Sequence, residues 1–288
     1  MNYALDALWW RLTDPDVRAL ATLLTAPAPW HSGCEMPVRA LLGEQGFRHL
    51  LALNDQPRAL KHHLAAEGGF GGRLGVYAES LLAFWLADAP HCRLLARNLP
   101  VSDGARTLGA LDFVAEIGGR LQHIELACKY YGTADGRAQS LAGLNPEDTW
   151  LHKAEKLRLQ TALAQHREGR RALEAAGLNP TATAASTVLR GILFAAEAEA
   201  LPPPLNPHAW RGVFYNAPPP APPFKDTDGL RYCLLPRLAC LAPARVRREE
   251  TTDWEGIRET KRGQAAAVAL RPDGFWHEVG RIMFRIEG

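Results

Sequence analysis

The 288 residues are 47% hydrophobic and 22% charged, enough apolar side chain for the core of one large domain or two modest ones, which excludes a disordered tail and a disulfide-held miniprotein. Thirty-three basic against thirty-one acidic side chains give a formal charge of +2, too small to point to nucleic acid or membrane through global electrostatics. Six of the basic residues are lysines, at positions 61, 129, 153, 156, 225 and 261, against twenty-seven arginines, so the place of each lysine matters.

Residues 1–67 read as a helical N-terminal segment packed on the core. Leu5, Leu8, Trp9 and Leu12 recur at helical spacing, and Pro27, Pro29, Pro37 and Pro57 break the segment into short helices. No basic region followed by an apolar stretch opens the chain, so no export signal is expected. The five cysteines are odd in number and lack zinc-type pairing, which favours a reducing interior and a cytoplasmic protein. The longest apolar stretches, Ser80–Ala87 and Ala265–Leu270, are too short to span a bilayer, so no membrane partner is expected.

A glycine-rich turn, EGGFGGRLG, leads into a helix whose Leu74, Tyr77, Leu81, Leu82, Trp85 and Leu86 form a broad apolar stripe ending before Pro90. The GGFGG run lacks the endings of phosphate-binding fingerprints and reads as a tight helix entry. RLLARNLPVSDG reads as a connection. TLGALDFVAEI then alternates around Leu111, Phe113, Ala115 and Ile117, Gly118-Gly119 supplies a turn, and RLQHIELACKYYG resumes the alternation, which predicts a β-hairpin. One long helix follows from Pro146 to about Ala176, with Asp148 as its N-cap and Gly177 near its end. Thr187–Ala196 reads as an interior strand. This order predicts an α/β core over residues 68–200.

Nine of the twenty-one prolines lie between Pro202 and Pro223, a stiff connection opening a C-terminal extension over 201–288. Beyond it come a short strand or helix at Tyr232–Leu235, a charged stretch, and a terminal RPDGFWHEVGRIMFRIEG with room for two strands. These pieces either form a separate unit or add strands to the preceding sheet.

Asp112 interrupts an otherwise apolar run, and at period two Glu125, Ala127 and Lys129 share one face of the following strand. A carboxylate on each arm of the hairpin suits Mg²⁺, or Mn²⁺, and a lysine beside them would stabilise charge on a phosphate. The competing reading is a core-edge ion pair between Glu125 and Lys129. Glu79, inside the apolar helix, reads as a third carboxylate of the site or as the partner of an arginine. Lys153, Lys156 and Gln160 make one polar helical face, either phosphate-facing or solvated. His123 shares the face of Glu125 and reads as a general base or a hydrogen-bonded strand histidine, while Cys128 points the other way and reads as a small buried apolar residue.

The segments RLGVYAESLLAFWL, LGALDFVAEI, HIELACKYYG, DTWLHKAEKLRLQ and VLRGILF resemble the domain-of-unknown-function family 1853, which belongs by distant similarity to the PD-(D/E)XK nuclease-like superfamily. The resemblance implies a restriction-endonuclease-like core, a central mixed sheet flanked by helices, and Mg²⁺-dependent hydrolysis of nucleic-acid phosphodiester bonds, with DNA as substrate. Carried over to this chain, it makes Asp112 and Glu125 metal ligands and Glu79 an auxiliary acid and third ligand. Lys129 becomes the residue that positions water or transition-state charge, and Lys153, Lys156 and Gln160 face the nucleic acid. The chain departs from the superfamily pattern at position 127, where Ala127 stands in place of lysine. Lys129 keeps the face but sits roughly 7 Å farther along the strand. That departure keeps open a catalytically inactive nucleic-acid-binding protein, and the proline-rich segment with Trp254 and Trp276 keeps open a protein-interaction module.

Overall fold

The computed structural model describes residues 10–196, 202–224 and 229–286 of the chain. Leu5, Leu8 and Trp9 lie outside the described residues, while Leu12, the last of that apolar series, is fully buried. Helix α1 (Pro15–Thr25) starts where Asp14 accepts hydrogen bonds from the backbone N–H groups of Asp16 and Val17, with proline at its first position. Three short helices follow, α2 (Val38–Leu42), α3 (Gly46–Asp55) and α4 (Arg58–Ala66); Pro37 and Pro57 precede α2 and α4 as the proline spacing predicts, while α2 and α3 are divided at Gly43, at φ of 71°. Helix α5 (Leu74–Asp88) is apolar nearly all round and is correspondingly buried. Its Leu81, Leu82 and Trp85 share one core with Leu20 and Leu24 of α1 and with Phe113 and Ile124 of the sheet. Among the described residues no helix is long and apolar enough to cross a membrane.

The sheet begins with a strand that the sequence reading takes for a connection. β1 (Cys92–Ser102) pairs antiparallel with β2 (Thr107–Ile117), which pairs antiparallel with β3 (Arg120–Thr133). β1 hides its strand character because it lies at the sheet edge, where Arg93, Asn98 and Pro100 are tolerated and half-exposure blurs the alternation. The β2–β3 turn is the predicted one, with Gly118 and Gly119 at φ of 54° and 77°, the two left-handed residues that a tight hairpin requires.

The single long helix of the sequence reading is two: α6 (Trp150–Leu163) and α7 (Arg167–Ala175). Thr149, not Asp148, caps α6 by accepting from the His152 N–H. The chain breaks after Leu163 because α7 packs back against the end of α6. Gly169 lies on the Leu163 carbonyl, which a Cβ there would overlap. This break is invisible in a continuous helical pattern.

β4 (Ala184–Ala195) returns parallel to β3 in unbroken register from Gln122 opposite Ala184 to Thr133 opposite Ala195. Beyond the proline-rich connection the chain adds to this same sheet. β5 (Trp210–Tyr215) pairs parallel with β4, β9 (Trp276–Arg285) parallel with β5, β8 (Arg262–Leu270) antiparallel with β9, and β6 (Arg231–Leu235) antiparallel with β8. A two-residue strand, β7 (Arg245–Val246), lies beside β9, and a four-residue helix, α8 (Glu255–Arg258), precedes β8. The strand order is therefore β1-β2-β3-β4-β5-β9-β8-β6. The C-terminal pair differs from expectation: one strand, not two, occupies the last segment, and its partner β8 starts at Arg262 in the tail of the charged stretch. The connection itself is tied down, since Asn206 Nδ2 donates to the Ala28 carbonyl at 2.7 Å.

Gly191 stands opposite Lys129 in the β3–β4 pair at φ of 147°, against the Lys129 carbonyl. A methyl group there meets backbone that cannot move without opening the ladder. Gly191→Ala is expected to cost about 3 kcal/mol or more, measured as a lower urea midpoint with unchanged m-value.

Candidate functional site at the fork of β2 and β3

β2 and β3 pair from Ile117 opposite Arg120 to Phe113 opposite Ile124, and there the ladder ends. Each arm then follows its outer neighbour: β2 continues on β1 with Leu111 opposite Leu99, and β3 continues on β4 with Leu126 opposite Val188. Asp112 and Glu125 occupy the first unpaired position of this fork. Side chains take over the hydrogen bonds that the ladder would have made. Leu126 N donates to Asp112 Oδ2 at 3.0 Å, and Asp112 N approaches Glu125 Oε1 at 3.5 Å.

Strand alternation sorts the neighbours by layer. Ala127 and Tyr131 pack with Trp150 and Leu157 of α6, while Ile124 and Leu126 pack in the core that contains α5. Glu125 therefore sits beneath α6, and its side chain is 1% exposed. His123, on the same face, is fully buried and lies with Nε2 2.8 Å from Glu125 Oε1. Glu125 Oε2 is buried without a hydrogen-bond partner, as is His123 Nδ1. An orphaned buried carboxylate oxygen is costly, which marks this one as a place where another group belongs.

The charges at the fork act on one another. Burial first, then the Glu125 charge, push the Asp112 carboxyl up to about 7 against the pull of the Leu126 N–H. Glu79 on α5 is also raised, by burial and by Glu125, with Arg97 and Lys153 opposing. Lys153 of α6 is half-buried and its ammonium is lowered by burial and by Lys129 and Lys156, with Asp112 and Glu125 pulling the other way. Lys153 is thus a cation of α6 whose charge acts on both fork carboxylates.

Lys129 is committed elsewhere. Its Nζ donates to both oxygens of Asp148 at 2.8 Å, and Tyr131 donates to the same carboxylate at 3.2 Å. The anticipated Glu125–Lys129 ion pair is not formed, because Asp148 in the loop before α6 takes the lysine. Lys156 is exposed, and Gln160 is half-buried with Oε1 unpartnered. Glu116 pairs with Arg93 at 2.7 Å near the turn. Cys128 lies on the α5 side, and burial pushes its thiol up to about 12, which removes it as a nucleophile. Among the described residues no three His, Cys, Asp or Glu side chains are gathered into a metal-holding group, so Glu79 does not join Asp112 and Glu125 in a three-carboxylate centre. A cavity of about 790 Å³ opens elsewhere, between α1, α4 and the segment around Leu235–Val246, and contains none of these side chains.

One feature of the fork escapes sequence reasoning: that the Lys153 charge acts on Asp112 and Glu125 depends on how α6 docks, which no local pattern records. The nearness of His123 to Glu125 is legible, because the two residues are neighbours on one strand face.

Asp112 makes a testable contribution to stability. Its folded value near 7 exceeds its ordinary 3.8, so the folded chain holds an extra proton between those limits. The carboxyl's contribution is fully present below about pH 4 and is lost as the pH rises through 7. Asp112→Asn, which keeps an acceptor for Leu126 N, is expected to stabilise the metal-free protein by on the order of 3 kcal/mol at pH 8 and by little at pH 4. Urea denaturation at the two pH values checks this, and an equal effect at both would contradict the assignment.

The family model described as "Domain of unknown function (DUF1853)" matches residues 7–284. No curated protein and no solved structure matches the chain.

Proposed function

The chain belongs to the DUF1853 family, and from the chemistry of the β2–β3 fork we propose that it is a metal-dependent nuclease that hydrolyses phosphodiester bonds of nucleic acid, DNA foremost. The observation that carries this reading is the pairing of Asp112 with a buried Glu125 whose Oε2 has no partner. An unpartnered carboxylate oxygen beside a second carboxyl suits a hard cation that needs few protein ligands and keeps its waters. Asp112 and Glu125 would hold Mg²⁺ or Mn²⁺ there. Bound at the fork, such an ion supplies Lewis-acid polarisation of a phosphoryl oxygen and a more acidic water.

The protein groups do the rest. Lys153, whose charge acts on both carboxylates, stabilises the negative charge that develops on the phosphate, the role that superfamily likeness gives to a strand lysine. Glu79, raised by burial, stands as an auxiliary acid outside the metal pair. Lys156 and Gln160 extend the polar edge of α6 along the nucleic-acid backbone. The element order α5-β1-β2-β3-α6-α7-β4, with β4 parallel to β3, supports placing the core with the PD-(D/E)XK, restriction-endonuclease-like proteins.

A second reading, binding without cleavage, is favoured by Ala127 at the motif's lysine position and by the Lys129–Asp148 pair. Incubation of the purified protein with single-stranded and duplex DNA and RNA in Mg²⁺ or Mn²⁺ separates the two. Cleavage that EDTA abolishes is the expected result. Binding without cleavage on every substrate selects the second reading, and neither binding nor cleavage removes both.

A further inference from the structure

We propose that His123 is the positioning residue of this centre: its Nε2–H donates to Glu125 Oε1 and so holds Glu125 Oε2 open toward the cation. The proposal rests on the metal-dependent reading of the fork. Glu125 Oε1 faces two donors, His123 Nε2 at 2.8 Å and Asp112 N at 3.5 Å, whereas Oε2 faces none. That asymmetry fixes the rotation of the carboxylate, because turning it would take Oε1 away from the imidazole. A metal ligand whose second oxygen is already hydrogen-bonded is pre-oriented and loses less freedom on binding.

The contact itself assigns the tautomer. Nε2 is the nitrogen that donates, because the carboxylate oxygen facing it accepts, while Nδ1 is buried without a partner. A general-base role for His123 does not fit, since the ring is fully buried and its one engaged nitrogen is on Glu125.

The test compares wild type, His123→Gln and His123→Leu in the full chain, titrated with Mn²⁺ in the absence of substrate by calorimetry. The glutamine amide places an N–H near the position of Nε2, and leucine places none. His123→Leu is expected to weaken Mn²⁺ binding about ten- to a hundredfold, with His123→Gln within about threefold of wild type. Wild-type affinity in His123→Leu, or equal losses in both variants, overturns the proposal and leaves the metal reading standing. Wild type that binds no Mn²⁺ removes the metal reading and the proposal together. Nitrogen NMR of ¹⁵N-histidine-labelled wild type gives a check that needs no variant to fold: the Nε2–H tautomer is expected, and an Nδ1–H tautomer at His123 overturns the proposal.

Discussion

Alanine at Asp112 or at Glu125 is expected to lower metal-dependent cleavage by about a thousandfold or more, and methionine at Lys153 by about a hundredfold, while methionine at Lys129 leaves the rate within about threefold. The carboxylate figure follows from losing the several kcal/mol that a bound cation contributes to transition-state charge, each 1.36 kcal/mol being a factor of ten. Removing one preorganised cation from a developing phosphate charge belongs to the hundredfold class. The contrast between the lysines is the sharper test, because alternation along β3 puts Lys129 on the face of Glu125 whereas it is the Lys153 charge, on α6, that acts on both fork carboxylates. Lys129 Nζ already spans both oxygens of Asp148. Its loss should appear in stability, at about 1 kcal/mol for a half-exposed pair, and not in turnover. Steady-state rates on the best substrate, with thermal melts to confirm folding, decide the matter. If Lys129→Met abolishes cleavage and Lys153→Met spares it, the ammonium at the phosphate comes from the strand after all.

The sequence displays the fork more clearly than the groups around it. Asp112 stands out because it breaks an apolar alternation, and Glu125 because it follows one, so a polar pair on adjacent arms could be read directly. The hairpin turn carries its own chemistry in Gly118-Gly119. β1 does not, since Arg93, Asn98 and Pro100 suit a half-exposed edge and mimic a loop. The break between α6 and α7 is set by Gly169 meeting the Leu163 carbonyl, a contact between elements and not a local preference. The fate of Lys129 depends on Asp148, nineteen residues away in a loop, and that of Lys153 on the rotation of a helix over the sheet. Period-two reasoning says which face a side chain takes, but not which of several charges on that face meets which.

The largest stability losses are expected far along the sheet, at Glu278 and Arg281, where either Glu278→Ala or Arg281→Met should cost about 3–5 kcal/mol. Residues three apart on a regular strand point to opposite faces. On β9 a bulge intervenes: Ala267 pairs with Gly280 and Val268 with Glu278, leaving Val279 as the extra residue. The bulge brings Glu278 and Arg281 to one side, where both side chains are at most 1% exposed and join through two bonds of 2.8 and 2.7 Å. The remaining donors are also used. Arg281 reaches the carbonyls of Cys240 and Ala242 at 2.9 and 3.0 Å, and Glu278 Oε2 accepts from Ala244 N at 2.7 Å. The pair therefore fastens the 240–244 segment to the sheet as well as neutralising itself. Removing one partner strands a buried charge together with backbone groups, whereas removing both strands only the backbone groups. The double variant should then lose about as much as either single one, well short of their sum, in urea denaturation. Losses below 1 kcal/mol, or strict additivity, would mean that water reaches this pair and that the bulge serves only to bend the strand.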